Sequence, residues 1–472
     1  MKNKILFLSI LLFSCLLGQS QIKVASVLGD NMVLQRNAEV KIWGKAKPGE
    51  KLTVKASWAS AQVNAACNEK GIWLVKLKTT EAGGPYTIAI SSSKEKVLLK
   101  NILLGEVWLC SGQSNMEMPM AGFGDSPING GNDLLLDADN DNIRLFNVAR
   151  VVSAMPVDTC SGKWSVASAE TASGFSAVGY LYARFLQQKL KVPVGVICSS
   201  WGGSAIEAWM NHETILPFAE AYKRTTQEKS AIHQRASNIY NGMISPLINY
   251  AIKGAIWYQG ESNIGNYKEY AVLQAGMVAN WRKDFGVGDF PFYFVQIAPY
   301  SYNNSKAIFS ALQRDEQLKA ISLIPNSGMV CTLDIGEEKN IHPAEKYTIA
   351  KRLALWAFSE AYGMKGIQYK SPAFTKMDVK DTLAILSFDN VALGLSTYGK
   401  EVNCFEVAGA DSVFYPAKLV IKAKQANVWS PKVKAPVAVR YGFCNFPITS
   451  GYLYNTAGLP VPSFRTDNWM IK

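Results

Sequence analysis

Three patterns of hydrophobic and polar positions follow one another along the 472 residues. Between residues 22 and 104, apolar and polar side chains alternate over short runs: Met32–Gln35, Glu39–Trp43, Lys51–Lys55, Gly71–Leu77 and Tyr86–Ile90. Turn signals such as Lys47-Pro48-Gly49 and Gly83-Gly84-Pro85 separate them. A period of two over short runs predicts a small antiparallel sandwich, one face of each strand buried. From residue 105 to 365 the pattern changes to continuous apolar runs alternating with helical stripes. The predicted strands are Val107–Cys110, Asn142–Asn147, Pro193–Cys198, Gly254–Tyr258, Pro291–Ile297 and Gly328–Asp334. The predicted helices are Phe175–Leu190, a short one near Ile206–His212, Tyr267–Phe285, Lys306–Ile321 and Pro343–Tyr362. Such alternation predicts an α/β unit, a parallel sheet with helices on both faces. Residues 366–472 return to β character, with strands at Lys380–Phe388, Cys404–Ala408, Ala417–Lys422 and Val437–Tyr441. No internal repeat and no low-complexity segment interrupts this order.

The first twenty residues stand apart. Lys2 and Lys4 precede an apolar run from Ile5 to Leu17, and Gly18-Gln19-Ser20 follows. This is the build of an export signal, which sets residues 1–20 as a signal peptide and Gln21 as the mature start. The run is too short for a membrane span, and Leu12-Phe13-Ser14 before Cys15 matches a lipidation site poorly. The expected location is periplasmic or extracellular.

Charge narrows the partners. The formal net charge of +12 falls to +10 once Lys2 and Lys4 leave, with lysines and arginines spread evenly along the chain. Without a basic run, nucleic acid is a poor partner, while the mild positive field suits an anionic substrate. Seven cysteines remain after Cys15: an odd number, with Cys404 and Cys444 the one pair that could bridge within the last region. The sequence has no Cys-x-x-Cys and no Cys/His cluster, so neither a metal nor another cofactor is expected.

The candidate chemistry sits where strands end. Val107–Cys110 runs into Ser111-Gly112-Gln113-Ser114-Asn115-Met116. A serine lifted beyond a strand end, with its own amide exposed, has the geometry that acyl transfer needs. Gly112-Gln113-Ser114-Asn115-Met116 resembles the nucleophile block of the SGNH-type carbohydrate esterases, specifically the sialic-acid-specific O-acetylesterase family. Asp30–Arg36 resembles that family's amino-terminal β-domain, and Phe405–Gly409, Val439–Tyr441 and Leu453–Asp467 its carboxyl-terminal region. The resemblance implies an SGNH-hydrolase-like α/β fold flanked by N- and C-terminal β domains, and a serine esterase that removes O-acetyl groups from carbohydrate without a cofactor.

Residue by residue, the resemblance makes Ser114 the nucleophile and His342, in Asn340-Ile341-His342-Pro343, the general base. The acid is where the chain departs from the family. The place three residues before His342, usually an aspartate, holds Lys339, and Asn340 follows. Asp334, Glu338 or a backbone carbonyl is left to orient the imidazole. Oxyanion donors are expected from the Ser114 amide, from Gly202 or Gly203, and from the side chain of Gln259 or Asn263. Asn241 and Arg314 lie in segments resembling family segments near the cleft, with Arg314 a candidate partner for a sugar carboxylate. Trp201, Trp209 and Trp257 are candidate stacking surfaces. His212 and His233 are expected to be exposed helix or loop residues. Sialate is the leading substrate, acetylated xylan or xyloglucan the rival, and a non-catalytic carbohydrate-binding relative the alternative class. No Gly-x-Ser-x-Gly elbow supports a lipase or peptidase.

Overall fold

A computed structural model describes residues 22–227 and 230–469. The expected signal peptide and Cys15 lie outside the described residues. The amino-terminal β unit is a two-layer sandwich. One layer orders Lys23–Val24, Glu39–Lys45 and Ile72–Lys78; the other brings together Lys51–Ala56, Val63–Ala66 and Gly83–Ser91. Along Ile72–Lys78 burial strictly alternates, with Trp73, Val75 and Leu77 inside. That alternation is what an antiparallel sheet with one wet face produces.

The strand β1, Lys96–Gly112, runs across the expected boundary at residue 105. Its first half pairs antiparallel with Gly83–Ser91 in the sandwich. Its second half lies between two parallel partners at the centre of the next sheet. That sheet is completed by β2 (Asn140–Asn147), β3 (Trp164–Ala167), β4 (Val194–Ser200), β5 (Gly254–Tyr258), β6 (Phe292–Val295) and β7 (Ser327–Val330), in the order β3-β2-β4-β1-β5-β6-β7. All neighbours are parallel except β3, which runs antiparallel to β2 at the edge.

Both faces of the sheet are covered, as the continuous apolar runs require. Val107, Leu109, Ala255 and Trp257 point into one core, with Leu273, Met277 and Trp281 of the helix Tyr270–Phe285. Trp108, Cys110, Ile256 and Tyr258 point into the other, with residues of the helices Ala177–Leu190 and Lys346–Trp356. Alternate residues of each strand therefore serve opposite cores.

Helix starts differ from the expected ones for local reasons. The helix expected from Phe175 begins at Ala177 because Ser176 accepts the Gly179 N–H at 3.0 Å as its cap. The one expected from Pro343 begins at Lys346, where Glu345 accepts the Thr348 N–H at 3.0 Å. The helix expected near Ile206–His212 is a 3-10 turn, Ile206–Trp209, followed by His212–Ile215. The stretch beyond it is no loose linker: Ile239, Met243, Ile244 and Leu247 are all buried.

The carboxyl-terminal region forms two four-stranded antiparallel sheets and a short pair, Leu395–Ser396 with Tyr454–Asn455. Its core reaches the central unit through Cys331 and Leu333. Cys404 and Cys444 are free thiols, so the bridge considered for them does not form. Among the described residues no helix is long and apolar enough to cross a membrane.

Candidate active site

Strand β1 delivers the site. At its end Gly112 takes φ +144°, and a Cβ there would stand 2.1 Å from the Tyr258 carbonyl oxygen. Only glycine lets β1 and β5 approach this closely at the point where the chain turns. Gln113 then donates its amide to the Tyr258 carbonyl at 3.0 Å. Its side-chain Oε1 accepts the Gly260 and Ser262 amides, both at 3.2 Å, which fastens the loop after β5 to the loop after β1. Ser114 opens a one-turn helix, Ser114–Glu117. Its backbone N–H has no acceptor among the described residues.

His342 meets this serine across the sheet top, with Nε2 2.9 Å from Ser114 Oγ. The two residues lie 228 positions apart in the chain. The imidazole edge packs against the Phe123 ring at 5.2 Å. Asn340 serves the backbone of its own loop: its Oδ1 accepts the His342 N–H at 2.9 Å and the Ser126 hydroxyl at 3.0 Å.

No carboxylate is hydrogen-bonded to the imidazole among the described residues. Asp334 makes a two-pronged pair with Arg352, at 2.8 and 2.7 Å, and that pair ties β7's loop to the last helix. Glu338 is exposed, and its backbone carbonyl accepts from Ser301. Both expectations for the acid are therefore corrected.

Behind Ser114 lies a polar cluster that the sequence reading missed. Asn115 donates to Glu261 Oε1 at 2.6 Å and to the Ile341 carbonyl at 3.0 Å, and accepts from Lys346 Nζ at 2.6 Å. One side chain thus joins the serine turn, the loop after β5 and the histidine loop. Lys346 is fully buried, and burial brings its ammonium down to about 7. Burial likewise raises the Glu261 carboxyl above its usual range. The signal for Lys346 was present: it shares a helical face with Ile349, Ala350 and Leu353, all buried.

Burial holds the His342 imidazole below the ordinary histidine value, the Lys346 cation adds to this, and Asp125 opposes it. A base with a lowered pKa is neutral at lower pH, so the acid limb of kcat/KM should fall below pH 6.5. Lys346→Met removes a cation and should move that limb upward. A pH–rate profile of the variant whose limb stays in place or moves down would refute this electrostatic coupling.

The remaining expected site residues are placed as follows. Gln259 is fully buried; its Nε2 donates to the Ser204 carbonyl at 3.0 Å and to Asn263 Oδ1 at 2.7 Å. Both amide hydrogens are thus taken, and the side chain is not an oxyanion donor here. Asn263 donates to Glu207 at 2.9 Å and receives the Ile206 amide at 3.0 Å, locking the turn after β4. The Gly202 amide donates to Glu117 Oε2 at 2.7 Å, whereas that of Gly203 has no acceptor among the described residues.

Arg314 is fully buried and donates to Ser463, Ser310, Gly442 and Cys444. It joins the central unit to the carboxyl-terminal region and has no path to a sugar. Asn241 is also buried, with its amide on the Ser153 carbonyl at 3.1 Å. Trp209 and Trp257 pack edge to face in the core at 5.6 Å. Trp201 alone of the three stays partly exposed, stacked on His233 at 5.3 Å. His212 is exposed as expected, whereas His233 is half-buried beside the glycine turn.

With a hydroxyl, a base and an unpaired amide converging, the arrangement suits acyl transfer. The family model described as carbohydrate esterase, sialic acid-specific acetylesterase matches residues 104–356. A sialate O-acetylesterase of Mus musculus is 27% identical over 94% of this chain and 94% of its own. That of Homo sapiens is 30% identical over 76% of this chain and 74% of its own. A crystal structure of a carbohydrate acetylesterase from Xanthomonas citri superposes with a TM-score of 0.87 at 34% identity, covering 95% of this chain and all (100%) of that one.

Proposed function

The chain belongs to the sialic acid-specific acetylesterase family of carbohydrate esterases, ester hydrolases that remove O-acetyl groups from carbohydrate, and from that premise we propose that it works through an acetyl-serine intermediate on Ser114. The observation that carries this reading is the 2.9 Å contact between His342 Nε2 and Ser114 Oγ. Ser114 Oγ attacks the acetyl carbonyl carbon while His342 takes the hydroxyl proton. The oxyanion that forms on the carbonyl oxygen is met by the Ser114 N–H, with the unpaired Gly203 amide the second donor on offer. His342 returns the proton to the departing sugar hydroxyl, leaving acetyl-Ser114. Water, deprotonated by the same imidazole, attacks the acetyl carbonyl carbon; the bond to Ser114 Oγ breaks, the imidazolium returns the proton to Oγ, and acetate leaves.

The catalytic unit in this proposal is a Ser–His dyad. Phe123 packing and the Asn340-bonded loop hold the imidazole in place, without the carboxylate that stabilises the imidazolium in a triad. The proposed substrate is a sialic acid, with acetylated xylan or xyloglucan as the second reading. Export, expected from residues 1–20, belongs to the same proposal.

The test is acetate release from an aryl acetate, 9-O-acetylated sialic acid and acetylated xylan. Rapid acid quench and mass spectrometry should find a 42-dalton adduct on the peptide bearing Ser114. Preference for xylan would overturn the sialate reading. No release from any of the three would favour the non-catalytic binding protein.

A further inference from the structure

Beside Ser114 lies a polar and aromatic cluster that the dyad does not use. Arg150, in the loop after β2, has a side chain 53% exposed. Its Nε donates to Glu117 Oε1 at 2.6 Å, and its Nη2 bonds the same oxygen. The other Glu117 oxygen holds the Gly202 amide at 2.7 Å. The guanidinium also lies over the Trp201 ring, 5.8 Å from its centroid. Trp201 in turn stacks almost parallel on His233, at 5°. The cluster adjoins the nucleophile, because a Cβ on Gly202 would stand 3.1 Å from Glu117 Oε2 and 3.2 Å from Ser114 Cβ.

Stability alone gives little reason for the open end, since an ion pair whose guanidinium is half exposed contributes about 1 kcal/mol. Orientation explains it better. Glu117 takes the Nε side of the guanidinium and Trp201 takes a face, so the rotamer is fixed before any ligand arrives. Two donors on Nη1 and one on Nη2 are left without a protein partner among the described residues. A fixed planar fork with its end open fits a carboxylate in two-pronged fashion. The other charged groups at the cluster are the Glu117 carboxylate and His233, whose imidazole burial and Arg150 hold below its ordinary value.

We propose that Arg150, aligned by Glu117 and Trp201, receives the carboxylate of an acidic sugar while its O-acetyl group lies at Ser114. It takes the role that the sequence suggested for Arg314, which is enclosed. The proposal rests on the esterase reading and adds a residue for its selectivity.

The experiment measures acetate release by the full chain and by Arg150→Gln and Arg150→Lys. The substrates are 9-O-acetylated sialic acid, its C1 methyl ester and an O-acetylated neutral methyl glycoside. Wild type should favour the free acid over the methyl ester by about tenfold in kcat/KM, expressed in KM, as a charged hydrogen-bond pair supplies. The ratio should collapse to within about twofold in Arg150→Gln and recover only partly in Arg150→Lys. Equal rates on acid and ester in wild type, or an unchanged ratio in Arg150→Gln, overturn the proposal while the esterase reading stands. Absence of acetate from all three substrates overturns both.

Discussion

Ser114→Ala should lower kcat for acetate release by a factor of about 10⁴ or more, with little change in thermal stability. The size follows from what is lost. Without Oγ no acetyl-enzyme forms, and the remaining amides can only help water attack directly; in nucleophile–base systems that residue of catalysis is about 10³–10⁴ above water. Stability should hold because Ser114 is half-buried and its side chain has, among the described residues, one hydrogen bond, to His342. His342→Ala should cost a similar factor, and the double variant scarcely more, since the two groups act as a unit. Steady-state rates on an aryl acetate decide it. A single-digit fold loss for Ser114→Ala would remove the serine from the mechanism altogether.

Arg314→Ala should have the largest effect on stability, about 3–5 kcal/mol. Arg314 is a cation with no carboxylate paired to it among the described residues, enclosed at 0% exposure. Its stabilising contacts are donations to the carbonyls of Gly442 and Cys444 and to the hydroxyls of Ser310 and Ser463. Alanine leaves those acceptors dry and opens a cavity, and each term costs about 1–3 kcal/mol. Lysine should not rescue it, because one ammonium cannot reach four acceptors set around a planar fork. Differential scanning calorimetry reads the loss as a lower melting temperature, with the carboxyl-terminal region released first. An unshifted melting temperature together with a raised KM for acidic sugar would return Arg314 to the substrate role.

What the sequence revealed, and what it hid, follow from the physics of each position. Ile72–Lys78 was legible because half of its side chains face water, which writes a period of two. The central strands were legible as unbroken apolar runs because two cores claim alternate residues. The stretch from Ile206 to Leu247 was not, since turns as short as Ile206–Trp209 carry no period, although its apolar residues fill a core. At the site, Ser114 and His342 came from short motifs at loop positions. Gln259, Asn241 and Arg314 were misplaced because a polar side chain reads the same whether it meets a substrate or a neighbouring carbonyl. Lys346 was overlooked for the converse reason, a charge on a face that packing turned inward.

The continuity of β1 bears on how such a protein can be taken apart. Its 17 residues span at most about 55 Å at the usual rise per residue, with a bulge at Asn101, where φ is +54°; the strand is rooted in the amino-terminal sandwich and tipped by the nucleophile turn. Accessory modules joined by linkers can be traded between enzymes like beads on a string. Here the would-be bead and the esterase share a backbone, so any cut severs the beam that aims Ser114. In recombination, natural or engineered, the smallest portable cassette begins with the sandwich.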